Sequence, residues 1–251
     1  MIDFTYLLAS VLTGWLIGSG VNYLADVLPL YRKFSRSACE YCSQPLTINH
    51  YVLLQPCNSC GARLKPRVVW VNLVTCIAFT VLSTVFGANP FLAFQSQLIF
   101  AFFALVTVID IEHHLILHMV SLAGAVLLGA AGIYHHGISA TLLGGATGFL
   151  AMLVLYLIGI WFGRILSKRK GMPVEEGLGF GDVTLATISG LLLGYPGISL
   201  GLFAAIVLGG AYSALVLVGT ALRKTYSPFR TIPYGPFIAI AVFVLWIIGS
   251  A

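Results

Sequence analysis

Gly179-Phe180-Gly181-Asp182 sets a carboxylate at the head of a long apolar run, and Leu105-Val106-Thr107-Val108-Ile109-Asp110 closes another such run on a second one. Ionised carboxylates are costly in or near hydrocarbon, so acids so placed mark ion pathways, proton relays or catalytic sites. Two that meet can share a proton and activate water. Working outward, hydrophobic residues make up 59% of the 251 and charged ones 8%, a composition foreign to soluble globular domains. The chain reads as an all-α polytopic membrane protein. Apolar stretches run over 4–28, 68–86, 92–110, 116–134, 138–163, 182–195, 198–221 and 232–250, against the roughly 20 residues that a helix needs to cross. The stretch at 182–195 is short, which predicts seven or eight transmembrane helices.

Positive charge predicts the orientation, because Lys and Arg near span ends stay in the cytoplasm. The thirteen basic residues fall at 32–67, 164–170 and 223–230, the connections after the first, fifth and seventh spans. The opposite connections, near Asn89-Pro90, His136-Gly137 and Pro196-Gly197, carry none. The N-terminus is therefore expected outside the cell's inner membrane, with Asp110 and Asp182 both at the cytoplasmic ends of their spans. Such a basic face suits anionic lipid headgroups, so the net charge of +5 calls for no nucleic acid. The first apolar run follows Met1-Ile2-Asp3 and has its basic residues after it, which reads as a retained span rather than a cleaved signal. Small residues recur at Gly144/Gly148, Gly190/Gly194 and Gly197/Gly201, either because helices approach closely there or because membrane helices are Gly-rich.

The one sizeable polar segment, 30–67, separates a first span (1–29) from the remaining core (68–251) and holds four of the five cysteines. Cys39-Glu40-Tyr41-Cys42 and Cys57-Asn58-Ser59-Cys60 have the spacing of a four-thiolate zinc knuckle. A loop this short has almost no apolar core, so structural zinc would supply its folding energy. Disulfides or unliganded thiols are the alternatives, and a reducing cytoplasm disfavours the former. Cys76 lies within a span and reads as packing.

Several motifs, in order, resemble the type IV prepilin peptidases, polytopic aspartyl proteases with a GxGD motif. Gly18-Ser19-Gly20-Val21-Asn22 with Leu28-Pro29 resembles the family's first span, the CxxC pairs its zinc loop, and Ile109-Asp110 its first catalytic aspartate. Glu176-Gly177-Leu178-Gly179-Phe180-Gly181-Asp182 resembles the second, and Ile232-Pro233-Tyr234-Gly235-Pro236-Phe237 the start of the last span. The chain departs from the family at Val27, Gln55-Pro56, Asn72, Leu117-His118 and Thr184.

The resemblance implies a membrane aspartic endopeptidase that removes the leader of type IV prepilins or pseudopilins. Asp110 and Asp182 would be the dyad, and Gly179 and Gly181 would let an extended substrate backbone lie close. Glu112, Glu175 and Glu176 would meet the basic leader, unless they are ordinary solvated charge. S-adenosylmethionine enters only if the methyltransferase activity of bifunctional members accompanies cleavage.

Other classes fit parts of the pattern. Asp182 could simply be the N-cap of its span. Asp110, His114 and His118 recur every four residues and would line one face of a continuous helix, as in a membrane metalloenzyme. Paired acids could couple protons in a transporter, and a family member without cleavage could act as an assembly factor.

Overall fold

The apolar runs are helical over most of their described length in the computed structural model, which describes residues 4–32, 35–170, 179–222 and 233–250. The described helices are α1 (Phe4–Tyr31), α2 (Ile48–Val52), α3 (Pro66–Val85), α4 (Pro90–His113), α5 (His118–Lys170), α6 (Phe180–Leu193), α7 (Gly197–Leu222) and α8 (Gly235–Ser250). Five of them are long and apolar enough to cross a membrane: α1, α3, α4, α5 and α7. Large side chains such as Leu122, Leu215 and Ile248 stand exposed on their flanks, as expected where the surrounding solvent is lipid. This is a multi-pass membrane protein.

Local chemistry sets the ends. Proline opens α3 and α4, where its missing N–H would have no helical partner anyway, and the Asn89 side chain caps α4 by accepting the Leu92 N–H at 3.2 Å. The α5 element is two arms joined at Gly137, whose φ of 79° only glycine adopts readily. It thus accounts for both stretches expected at 116–134 and 138–163. Helix α6 has 14 residues, hence a length of about 21 Å, well below the ~30 Å hydrocarbon core. The 16-residue α8 is short as well.

The chain divides into two compact units, residues 1–113 and 114–250. In the first, α1 lies against α3 so closely that a Cβ on Gly14 would stand 2.8 Å from the Cys76 Cα, and one on Gly18 would stand 3.0 Å from the Asn72 Cα. A buried polar seam runs along this contact. Asn22 donates to Asn72 Oδ1 at 3.1 Å and Asn72 donates to Ser19 Oγ at 3.2 Å. In the second unit, α5 and α6 meet backbone to backbone. A Cβ on Gly144 would fall 2.6 Å from the Gly194 Cα, and one on Gly148 would collide with the Ala186 carbonyl. Of the two readings of these glycines, close helix approach holds at Gly144, Gly148 and Gly190.

Candidate functional site

Asp110 sits in the last turn of α4, in the first unit, and is 5% exposed. Asp182 sits in the first turn of α6, in the second unit, and is 7% exposed. They are the two buried acids among the described residues.

Asp182 is not the N-cap of its helix. Gly179 occupies that position with φ −87° and ψ 152°, and donates its N–H to Asp182 Oδ2 at 3.1 Å. The carboxylate thus lies one turn inside, where free backbone N–H groups favour negative charge. At the other end of α6, the Tyr195 N–H bonds to the Ala140 carbonyl at 3.0 Å, next to the Gly137 break. At the start of α6, Phe180 packs edge-on to Tyr156 with ring centres 5.9 Å apart. The α5 arm then runs eight residues further, about 12 Å, before its first basic residue, Arg164. A short helix therefore sets its acidic end inside the apolar depth of its longer neighbour.

The two glycines before Asp182 differ. A Cβ on Gly181 would stand 2.8 Å from the Ile116 Cβ, whereas one on Gly179 would meet nothing nearer than 3.9 Å. Gly181 is thus required by packing, and only Gly179 leaves its face open. Neither has a left-handed φ. Tyr234, ahead of α8, lies within electrostatic reach of Asp182.

In the first unit, Arg67 at the start of α3 forks between two acids. Its Nη2 meets Asp26 Oδ1 of α1 at 2.6 Å and its Nη1 meets Glu112 Oε2 of α4 at 2.7 Å. Lys65 bonds Glu40 of the loop at 2.7 Å and lies within 3.9 Å of Asp26 and 3.8 Å of Glu112. Burial pulls the Lys65 ammonium down, but Glu40, Glu112 and Asp26 together hold it above its ordinary value. Tyr51 of α2 donates to Asp26 Oδ2 at 2.7 Å, and burial followed by the Asp26 charge pushes this phenol up.

The four cysteines converge, their ligand atoms all within 4.8 Å of one another. The Sγ of Cys39 lies 3.7 Å from that of Cys60, and Cys42 lies 3.6 Å from Cys57. A tetrahedral zinc with Zn–S of about 2.3 Å has S–S edges of about 3.8 Å, so the donor set fits that ion, and it exceeds the reach of a disulfide.

Both CxxC turns are built alike. The Ser43 N–H bonds to the Cys39 carbonyl at 2.9 Å and the Gly61 N–H to the Cys57 carbonyl at 2.8 Å; the Cys39 and Cys57 N–H groups in turn reach Gln44 and Ala62. The residue after each pair, Ser43 at φ 57° and Gly61 at φ 69°, is left-handed. A small hairpin, β1 (Ser37–Ala38) against β2 (Pro45–Leu46), frames the first turn. N–H groups of Cys60 and Ser59 aimed at Cys57 bring its thiol down to about 6. Those of Tyr41 and Cys42 lower Cys39. The loop is also less bare than its composition suggests: Leu46, Tyr51, Cys39 and Cys57 form a core with Val68 of α3, joined by Tyr23 of α1.

The metal-binding helix face fails. Helix α4 ends at His113 and His114 turns to φ 52°, so Asp110, His114 and His118 share no continuous helix. Among the described residues, the cysteines are the one group spaced to hold a metal. Glu112, expected at the leader, is engaged by Arg67 and Lys65. Glu175 and Glu176 lie outside the described residues. Asp26 and the forked Arg67 escape the sequence reading, although Asp26 is an acid inside the apolar stretch at 4–28.

Residues 97–214 match the Type IV leader peptidase family. The chain is 26% identical to a prepilin leader peptidase/N-methyltransferase of Bacillus subtilis over 95% of this chain and 92% of that one. It is 24% identical to one of Aeromonas hydrophila (88% and 75%). A type 4 prepilin-like proteins leader peptide-processing enzyme of Escherichia coli is 26% identical (82% and 72%). No solved structure matches.

Proposed function

We propose that this chain, whose residues 97–214 match the Type IV leader peptidase family, is a membrane aspartic endopeptidase that cleaves the leader from type IV prepilins or pseudopilins. The observation that carries this reading is that both buried acids of the described residues, Asp110 and Asp182, fall inside the matched segment at helix ends. Transporter, metalloenzyme and assembly-factor readings have no comparable support.

In this reading the two carboxyl groups meet and hold one proton between them, because two close carboxylates do not both ionise cheaply. The ionised one takes a proton from water as the water oxygen attacks the scissile carbonyl, and the protonated one hydrogen-bonds the developing oxyanion. Collapse of the tetrahedral intermediate breaks the C–N bond, with the proton passed to the leaving amine. Gly179 lets the substrate backbone approach, and Gly181 serves by admitting Ile116. Glu175 and Glu176 contact the basic leader; Glu112, expected there too, is held by Arg67 and Lys65.

The active site faces the cytoplasm of the inner membrane, beside anionic lipid, with the N-terminus outside. Residues 30–67 form a knuckle loop in which Cys39, Cys42, Cys57 and Cys60 hold structural zinc. Four thiolates leave no open position, so the ion orders the loop and takes no part in hydrolysis. The relatives of Bacillus subtilis and Aeromonas hydrophila are also named N-methyltransferases, and S-adenosylmethionine enters here only if that activity accompanies cleavage.

The test is cleavage in detergent of a peptide with a basic leader, a glycine and an apolar helix, read by mass spectrometry. Asp110→Asn and Asp182→Asn should each lower kcat by about 10³-fold or more. A variant that keeps a tenth of the activity would remove its aspartate from the dyad.

A further inference from the structure

Glu112 is two residues beyond Asp110, and α4 ends one residue later. A helix terminus frays unless something holds it, and a catalytic carboxylate tolerates little misplacement. One restraint on this end is Arg67. Its side chain is 14% exposed and its two Nη atoms bond acids on two different helices, Asp26 of α1 and Glu112 of α4. Guanidinium suits this task because its donors form a rigid fork, which a lysine cannot reproduce.

The chain leading into Arg67 comes directly from the cysteine loop. Six residues separate it from Cys60, and Lys65 in between ties back to Glu40, which lies inside the first CxxC. Tyr51 of α2 reaches the same Asp26 from the loop side. Loop, α1, α3 and α4 therefore meet in one web of charge-assisted bonds within the first unit.

We propose that Arg67 is a positioning residue, which transmits the order of the four-cysteine loop to the Asp110 end of α4. This rests on the reading of Asp110 as half of the dyad. Removing the fork releases the last turn of α4 while leaving the substrate groove alone, so the effect falls on kcat and not on KM. Arg67→Gln is expected to lower kcat about a hundredfold, the scale of a displacement near 1 Å at the reacting groups, with KM changed less than threefold. Arg67→Lys, which keeps charge but loses the fork, is expected to recover part of that loss. Glu112→Gln added to Arg67→Gln should cost little more, because both remove one link.

The measurements use the full chain in detergent with its zinc content determined. They include hydrogen exchange read by mass spectrometry, which does not depend on any activity. In Arg67→Gln, the amides at 108–113 should exchange at least tenfold faster, with those at 92–104 unchanged. Unchanged exchange at 108–113, or a loss expressed mainly in KM, overturns the proposal. A raised KM in Glu112→Gln alone would instead assign Glu112 to the leader. Faster exchange at 108–113 in a chain that cleaves no prepilin-like peptide would keep the clamp and remove the peptidase reading.

Discussion

The two units solve the same packing problem with different materials. Each brings two helices together over glycines, α1 on α3 at Gly14 and Gly18, and α5 on α6 at Gly144, Gly148 and Gly190. The first adds Asn22, Asn72 and Ser19 across the contact and fastens its polar end with Arg67, Lys65 and the cysteine loop. In the second, the backbones of α5 and α6 meet where side chains are missing, at Gly144, Gly148 and Gly190. The first unit should therefore be sensitive to metal and charge, and the second to added volume.

Removing the metal is the largest way to break this contrast. Structural zinc in four-thiolate sites is worth on the order of 10 kcal/mol of apparent binding free energy, more than the small core around Leu46 and Tyr51 can replace. Chelation should open residues 37–62 to proteolysis and leave fragments covering α5 to α8 intact. If α5 to α8 become sensitive at the same chelator concentration, the two units are not held independently.

Much of this was legible from sequence because it depends on residue type and spacing alone. The CxxC pairs announce their geometry, since a thiolate turn has one common form, and the apolar runs announce helices in lipid. Asp110 and Asp182 stand out because acids are rare in such runs. What stayed hidden depends on which helices become neighbours. Arg67 looks like one more cytoplasmic charge until α1 and α4 present Asp26 and Glu112 to it. Gly181 looks like a place for substrate until Ile116 fills it. Asn72, one of the departures from the family, likewise makes sense only beside Asn22 and Ser19, with which a neutral amide pairs without a buried charge.

Added volume is the next test. Gly144→Val places a branched side chain against the Gly190 carbonyl and the Gly194 backbone, and overpacking of this kind costs about 3 kcal/mol. Gly210→Val, on α7 with open space around it, should change stability by less than about 0.5 kcal/mol. Denaturation in mixed micelles compares the two. Equal effects would mean that α5 and α6 can part at little cost, and the contrast between the units would lose its second half.

The smallest effect lies within the first unit, between two turns of one construction. Ser43 and Gly61 hold equivalent left-handed positions, at φ 57° and 69°, yet only one of them is glycine. An L residue there costs about 1 kcal/mol, while glycine gives back part of that gain through the greater freedom of the unfolded chain. Gly61→Ser should therefore weaken zinc binding about fivefold, the equivalent of 1 kcal/mol. Ser43→Gly should change it by less than about threefold, because strain relief and chain entropy oppose each other. Competition with a chromophoric chelator on the full chain reads both. If Gly61→Ser binds as tightly as the parent, the left-handed step is incidental to the metal site, and the likeness of the two turns is one of shape without consequence for affinity.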